Sequence, residues 1–130
     1  MSAFEELRNL IKQLRSEDGC PWDRRQTLAS MAPYLREEVD EALEELEKKS
    51  MEGFKEELGD VFLILLMLVR IAEQEGLFDC EEVMRGAIDK IVRRHPHVFS
   101  DVDVKSEEEI VRNWAKIKEL EKKTKNKRTG

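Results

Sequence analysis

From Val61 to Val69 nine consecutive side chains are apolar, and Arg70 ends the run. The run is too short for a bilayer, which takes roughly 20 apolar residues to cross. It lies inside a longer stretch, Met51 to Gln74, whose pattern predicts a helix with Gly76 as its C-terminal cap. A helix without a polar face has to be covered on most of its sides. In a chain of 130 residues, one layer of neighbouring helices hardly covers it. The run therefore predicts a helical protein in which a partner subunit supplies part of the cover, over Phe62, Leu65, Met67 or Val69.

Composition agrees with helices. Charged residues make up 40% and aromatics 6%, with only 3 Pro and 6 Gly to make turns. That balance disfavours a sandwich, a barrel or a doubly wound sheet, and the length suits one domain. Apolar spacing of three and four predicts a first helix from Ala3 to Arg15, then a loop from Ser16 to Arg25 containing Cys20-Pro21-Trp22-Asp23. A second helix is expected from Tyr34 to Lys48, with Thr27 to Ser30 as a lead-in turn and Pro33 in its first turn. After the Met51–Gln74 helix, Asp79 with Glu82 and Ser106 with Glu109 read as capping boxes that open two more helices. Pro96 ends the first of these, and His97 to Lys105 is a loop.

Net charge is −6 and unevenly distributed: Lys122 to Gly130 carries five cations and no acid, and removing those five takes the remainder to −11. The domain is therefore expected to span residues 1–121, followed by a basic, disordered tail over 122–130. An acidic body is ill suited to a nucleic-acid duplex, where neutralising phosphate dominates affinity. Residues Met1 to Arg8 show no basic and apolar secretory leader. With Cys20 and Cys80 read as free thiols, the expected setting is the cytoplasm.

The carboxylates carry the anomaly. At about 100° per residue, with Leu35 at zero, Glu38 falls near 300° beside the apolar stripe of its helix, and Glu41 follows near 240°. With Glu57 at zero, Asp60 falls near 300° while Val61, Ile64 and Leu68 lie between about 340° and 40°. Glu57 and Asp60 thus share a face with residues that must be buried. Paired carboxylates beside a core lose hydration and repel each other unless a cation compensates. Packed antiparallel, Glu38-x-x-Glu41 and Glu57-x-x-Asp60 converge four oxygen donors, the ligand type that Mg²⁺ takes from proteins. The plain alternative for Glu38 and Glu41 is a solvated helix face paired with Lys or Arg. A di-iron bundle needs Glu-x-x-His pairs, and the only histidines are His95 and His97.

A second set is basic and aromatic. Lys90 and Arg94 lie one turn apart at the end of their helix, where cations ordinarily serve the helix dipole but are also placed to hold phosphate oxygens. Trp114 and Lys118 share a face of the last helix, and a Trp on that apolar stripe is more often a core residue. Neither GxGxxG nor GxxxxGK[ST] occurs.

Taken together, Cys20-Pro21-Trp22-Asp23-x-x-Gln26-Thr27, Pro33-Tyr34-x-x-Glu37-Glu38-x-x-Glu41, Glu57-Leu58-Gly59-Asp60, Arg93-Arg94-His95-Pro96-His97-Val98-Phe99 and Trp114-x-x-Ile117-Lys118 resemble MazG, the all-α nucleoside triphosphate pyrophosphohydrolases. The resemblance runs from about Phe4 to Glu121. It implies a four-helix bundle with an additional flanking helix, assembled as a homodimer or larger. It implies Mg²⁺, with Mn²⁺ as a substitute, held by Glu38, Glu41, Glu57 and Asp60. Glu37 would be a further ligand or the base that activates water, alongside Glu38 and Glu41 in catalysis. Lys90 and Arg94 would hold phosphates, with Trp114 and Lys118 at the nucleotide. The implied reaction cleaves a nucleoside triphosphate between its α- and β-phosphates, giving nucleoside monophosphate and pyrophosphate. Two alternatives stay open: a catalytically weak nucleotide-binding or regulatory module, and a purely structural helical dimer.

Overall fold

Small hydroxyl side chains open the helices. In the computed structural model, which describes residues 1–129 and side-chain surroundings through Lys125, Ser2 accepts from the Glu5 amide at 3.2 Å while the Ser2 amide donates back to the Glu5 carboxylate at 3.4 Å. That reciprocal cap starts α1 (Ala3–Leu14). Thr27 and Ser30 exchange the same pair of bonds and start α3 (Leu28–Glu47). Ser106 accepts from the Glu109 amide at 3.2 Å ahead of α7 (Glu107–Thr129). The remaining helices are α2 (Pro21–Arg25), α4 (Met51–Gln74), α5 (Cys80–Arg94) and α6 (Pro96–Phe99), and no strand occurs among the described residues. None of these helices is long and apolar enough to cross a membrane.

Three boundaries differ from the sequence-based expectation. The predicted lead-in turn is the true start of α3, which leaves Pro33 inside the helix rather than in its first turn. The Thr27–Ser30 cap fixes the start, and the missing Pro33 N–H leaves only the carbonyl of exposed Ala29 to water. The two predicted loops each contain a one-turn helix, α2 and α6, with Pro21 and Pro96 in the opening positions. Proline's fixed φ initiates helix as readily as it interrupts one. At the other end, α7 continues to Thr129, past the predicted boundary at Glu121. Lysines have good helix propensity and suit a helix C-terminus. The side chains of Asn126 to Gly130, including the basic Lys127 and Arg128, lie outside the described residues.

The chain falls into two compact units, Met1–Cys80 and the part from Glu81 onward. In the first, α4 packs chiefly along α3 and also on α1. Its core gathers Ile11, Met31, Ile64, Leu66, Met67 and Ile71, with Leu7, Leu28, Leu35, Leu63 and Leu68 packed around it. A tight turn sends α4 back along α3. There the Lys49 amide donates to the Leu46 carbonyl and the Ser50 amide to the Glu45 carbonyl, both at 3.0 Å. Next to the turn, a Cβ on Gly53 would crowd the flexible carboxylate end of Glu45. Gly76, at φ +72, ends α4 with the same bonding pattern.

One acid that the sequence pattern does not single out ties this unit together. Glu73 meets Arg70 at 3.4 Å and Arg8 at 3.7 Å, and accepts from the Cys80 amide at 3.0 Å.

Lys49 takes the left-handed conformation that Gly76 takes, at φ 61, and is a non-glycine residue doing so. A side chain there costs roughly 1 kcal/mol relative to glycine. Lys49→Gly should therefore raise the unfolding free energy by about that amount in urea titration, with an unchanged slope. A loss of stability would show that the Lys49 side chain makes a compensating contact.

Candidate functional site

The hairpin of α3 and α4 brings together three of the four predicted ligands. One carboxylate oxygen each from Glu38, Glu41 and Glu57 lies within 4.8 Å of the other two. Glu38 and Glu57 are half-buried and Glu41 is exposed. Asp60 stands outside this trio and is exposed, although its charge still reaches Glu38 and Glu57. It points in the direction of Ile64 and Met67, but the buried cluster of α4 begins only at Ile64, one turn farther on. Direction on a helix does not bury a residue that lies before the packed segment begins. Glu37, also exposed, is next to Glu38 on α3 and outside the trio.

The electrostatics of this arrangement are unfavourable in the free protein. Burial raises the Glu57 pKa first, and carboxyl sharing with Glu38 and Glu41 and the charges of Glu41 and Asp60 add to it. The group is pushed up to about 7. Glu38 is also raised, chiefly by burial and then by Glu41 and Asp60, while its contact with Glu57 opposes the shift. With Glu41 beside them, Glu38 and Glu57 cannot both ionise cheaply. Glu38 Oε2 and Glu57 Oε2 are both shielded from solvent and lack a hydrogen-bond donor. Orphaned, buried carboxylate oxygens facing a common point are what a hard divalent cation would satisfy, so the donor set fits Mg²⁺ or Mn²⁺.

The predicted basic and aromatic residues fall in the second unit. Lys90, Arg94 and Lys118 line one cavity there, together with Arg93 and Glu121. Arg94 is half-buried; Lys90 and Lys118 are exposed. Trp114 is half-buried and sets its ring edge-on to His95, centroids 5.4 Å apart, outside the lining of that cavity. His95 is held in turn by its Nδ1–H donating to the Ile91 carbonyl at 2.6 Å. Trp114 Nε1 and His97 Nδ1 are buried without partners.

Sequence reasoning missed Glu121. Its carboxylate accepts from Arg93 Nε at 2.6 Å and from Arg94 Nη2 at 2.9 Å and Nε at 3.3 Å. Those bonds, Arg94's first, lower its pKa to about 2. The available signal was spacing, since Lys118, Glu121, Lys122 and Lys125 all repeat on one face of α7.

One class of all-helical proteins holds hard cations through acidic helix faces. Within that class, the chain belongs to the MazG family: residues 26–99 match the MazG nucleotide pyrophosphohydrolase domain. It is 44% identical, over 98% of its length, to the nucleoside triphosphate pyrophosphohydrolase/pyrophosphatase MazG of Thermotoga maritima, of which it covers 49%. It is 45% identical, over 93% of its length, to the uncharacterized protein YabN of Bacillus subtilis, of which it covers 25%. The chain thus spans about half of one relative and a quarter of the other. A crystal structure of a mazG-related protein from Thermotoga maritima superposes with a TM-score of 0.76 at 28% identity, covering 88% of this chain and 98% of that one.

The raised Glu57 carries a sign that thermal melts can read. The folded protein retains a proton that the unfolded chain releases above about 4.5, so Glu57 favours folding at low pH and that contribution is lost as pH rises through about 7. In chelator, wild-type Tm should fall as pH rises from about 4.5 to about 7 and level off above that. Glu57→Gln should flatten that slope, and an equally steep slope in the variant would assign the titration to another group.

Proposed function

We propose that this domain hydrolyses nucleoside triphosphates to nucleoside monophosphate and pyrophosphate, with Mg²⁺ as its ion. The observation that carries this is the Glu38–Glu41–Glu57 trio, with two oxygens left unsatisfied by the protein, in a chain of the MazG family. The name of the Thermotoga relative supports the substrate class. Asp60, exposed on the adjoining turn of α4, is proposed as the fourth ligand. When bound, magnesium supplies Lewis-acid polarisation of the phosphoryl oxygens. Glu37 accepts the proton of the attacking water, a role open to it because its carboxylate is solvent-exposed beside the cluster. Lys90 and Arg94 bind phosphate oxygens and neutralise charge gathering on the pyrophosphate as it leaves. Trp114 and Lys118 hold the nucleoside end. Since Cys20 and Cys80 are free thiols and the substrate is a nucleoside triphosphate, the proposed setting is the cytoplasm.

Product analysis tests the chemistry. With Mg²⁺ and nucleoside triphosphate, chromatography should show monophosphate and pyrophosphate; diphosphate with orthophosphate would sink the α–β assignment. Binding without either product would leave a nucleotide-binding module. Glu57→Gln and Asp60→Asn should each remove turnover and leave helicity near normal, because each also relieves charge repulsion. Mg²⁺ should raise the Tm of the wild type, since it binds only the folded protein.

A homodimer or larger assembly is part of the same proposal. Leu58, Phe62 and Leu65 form an exposed stripe on α4, with Phe62 55% accessible. On α5, Val83, Met84, Ile88, Ile91 and Val92 are exposed as well. Patches of this kind are rare on stable monomers, and symmetric pairing is the commonest way to cover them. Of the side chains expected to need a partner, Met67 is instead buried within the chain at 1%, because it faces Ile11 and Met31 in the core. Sedimentation equilibrium at micromolar concentration should give at least twice the 15.3 kDa chain mass, and Phe62→Ser should weaken association. A compact, active monomer would refute the assembly.

A further inference from the structure

The cavity of about 630 Å³ in the second unit is lined by the cations Lys90, Arg93, Arg94, Lys118, Lys122 and Lys125 and by one acid, Glu121. A lone acid among so many cations asks for an explanation. Its side chain is 19% accessible, and its two oxygens take up Arg93 Nε and the Nε and Nη2 edge of Arg94. That edge is the fork that recognises phosphate as readily as carboxylate. Glu121 thus makes the contacts a phosphoryl group would make, and does so with one negative charge where a polyphosphate brings several.

We propose that Glu121 is an internal stand-in for phosphate, which keeps Arg93 and Arg94 paired in the free protein and is displaced when the polyphosphate part of a ligand enters the cavity. The inference rests on the proposed role of Lys90 and Arg94 in holding phosphates, and adds to it a built-in competitor. Pairing keeps the guanidinium groups ordered while no ligand is bound, so less side-chain entropy is lost on binding. It also sets a threshold. A singly charged anion gains little by replacing a carboxylate already in place, whereas a chain of phosphates gains from Lys90, Lys118 and Lys122 as well. The device therefore discriminates for polyphosphates and against orthophosphate or a lone carboxylate.

Calorimetric titration of inorganic pyrophosphate into the metal-free protein tests this without nucleotide or turnover. Glu121→Gln should bind pyrophosphate about tenfold more tightly than wild type. Glu119→Gln removes an equal charge from an exposed position on the same helix and should change affinity less than twofold. Orthophosphate should gain more than pyrophosphate from Glu121→Gln, narrowing the preference between them. Equal or weaker binding by Glu121→Gln would overturn the proposal, as would an equal gain in Glu119→Gln or no binding by either protein. If Glu121→Gln fails to fold, nitrogen-15 spectra of the wild type decide: pyrophosphate should shift the Nε–H signals of Arg93 and Arg94 together, and unmoved signals would refute displacement. Loss of nucleotide turnover with these results intact would count against the proposed reaction and leave the stand-in role standing.

Discussion

Repulsion among Glu38, Glu41 and Glu57 is the interaction around which this protein is organised. Helix propensity does not ask for three carboxylates to face one another, and their close approach works against folding in the free protein. Packing supplies the opposing force. Ile64, Leu66, Met67 and Ile71 on α4 bury themselves against Met31 and Ile11, and the tight turn through Lys49 holds α3 and α4 in register. Gly53 leaves room beside it for the Glu45 carboxylate. An apolar core and a hairpin thus hold acids together that would separate in solution, leaving oxygens that a cation can satisfy.

The second unit solves the opposite problem. Lys90, Arg93, Arg94, Lys118, Lys122 and Lys125 gather cations around a cavity, where Glu121 neutralises Arg93 and Arg94. Charge is concentrated by sign at each of these two clusters. The oxygens of the first unit suit a cation, and the guanidinium groups of the second suit an anion. The proposed activity draws on both chemistries, and the stand-in role proposed for Glu121 rests on the second.

Much of this was legible in the sequence because it follows from short-range periodicity. The span of α4, its cap at Gly76, the start of α7 after Ser106 and the acid pair positions on α3 and α4 all follow from repeats of three and four. What failed was whatever depends on several residues acting at once. Pro21 and Pro96 read as breakers, yet each opens a single helical turn. Pro33 lies inside α3 because the Thr27–Ser30 cap sets the start. Asp60 points with the core residues but precedes the packed part of α4, so wheel geometry alone overstated its burial. Met67 was assigned to a partner's surface and is buried at home, since the sequence does not say which side of an all-apolar helix its own neighbours take. Glu121 escaped notice because its meaning lies in two arginines 27 and 28 residues away.

The central claim is that the carboxylate trio is held together for a divalent cation. Crystals soaked in Mn²⁺ at neutral pH and measured at the manganese absorption edge test it most directly. The account predicts an anomalous peak among Glu38, Glu41 and Glu57, with oxygens of all three drawn to it. No peak there, with the three carboxylates in the same places, would contradict it.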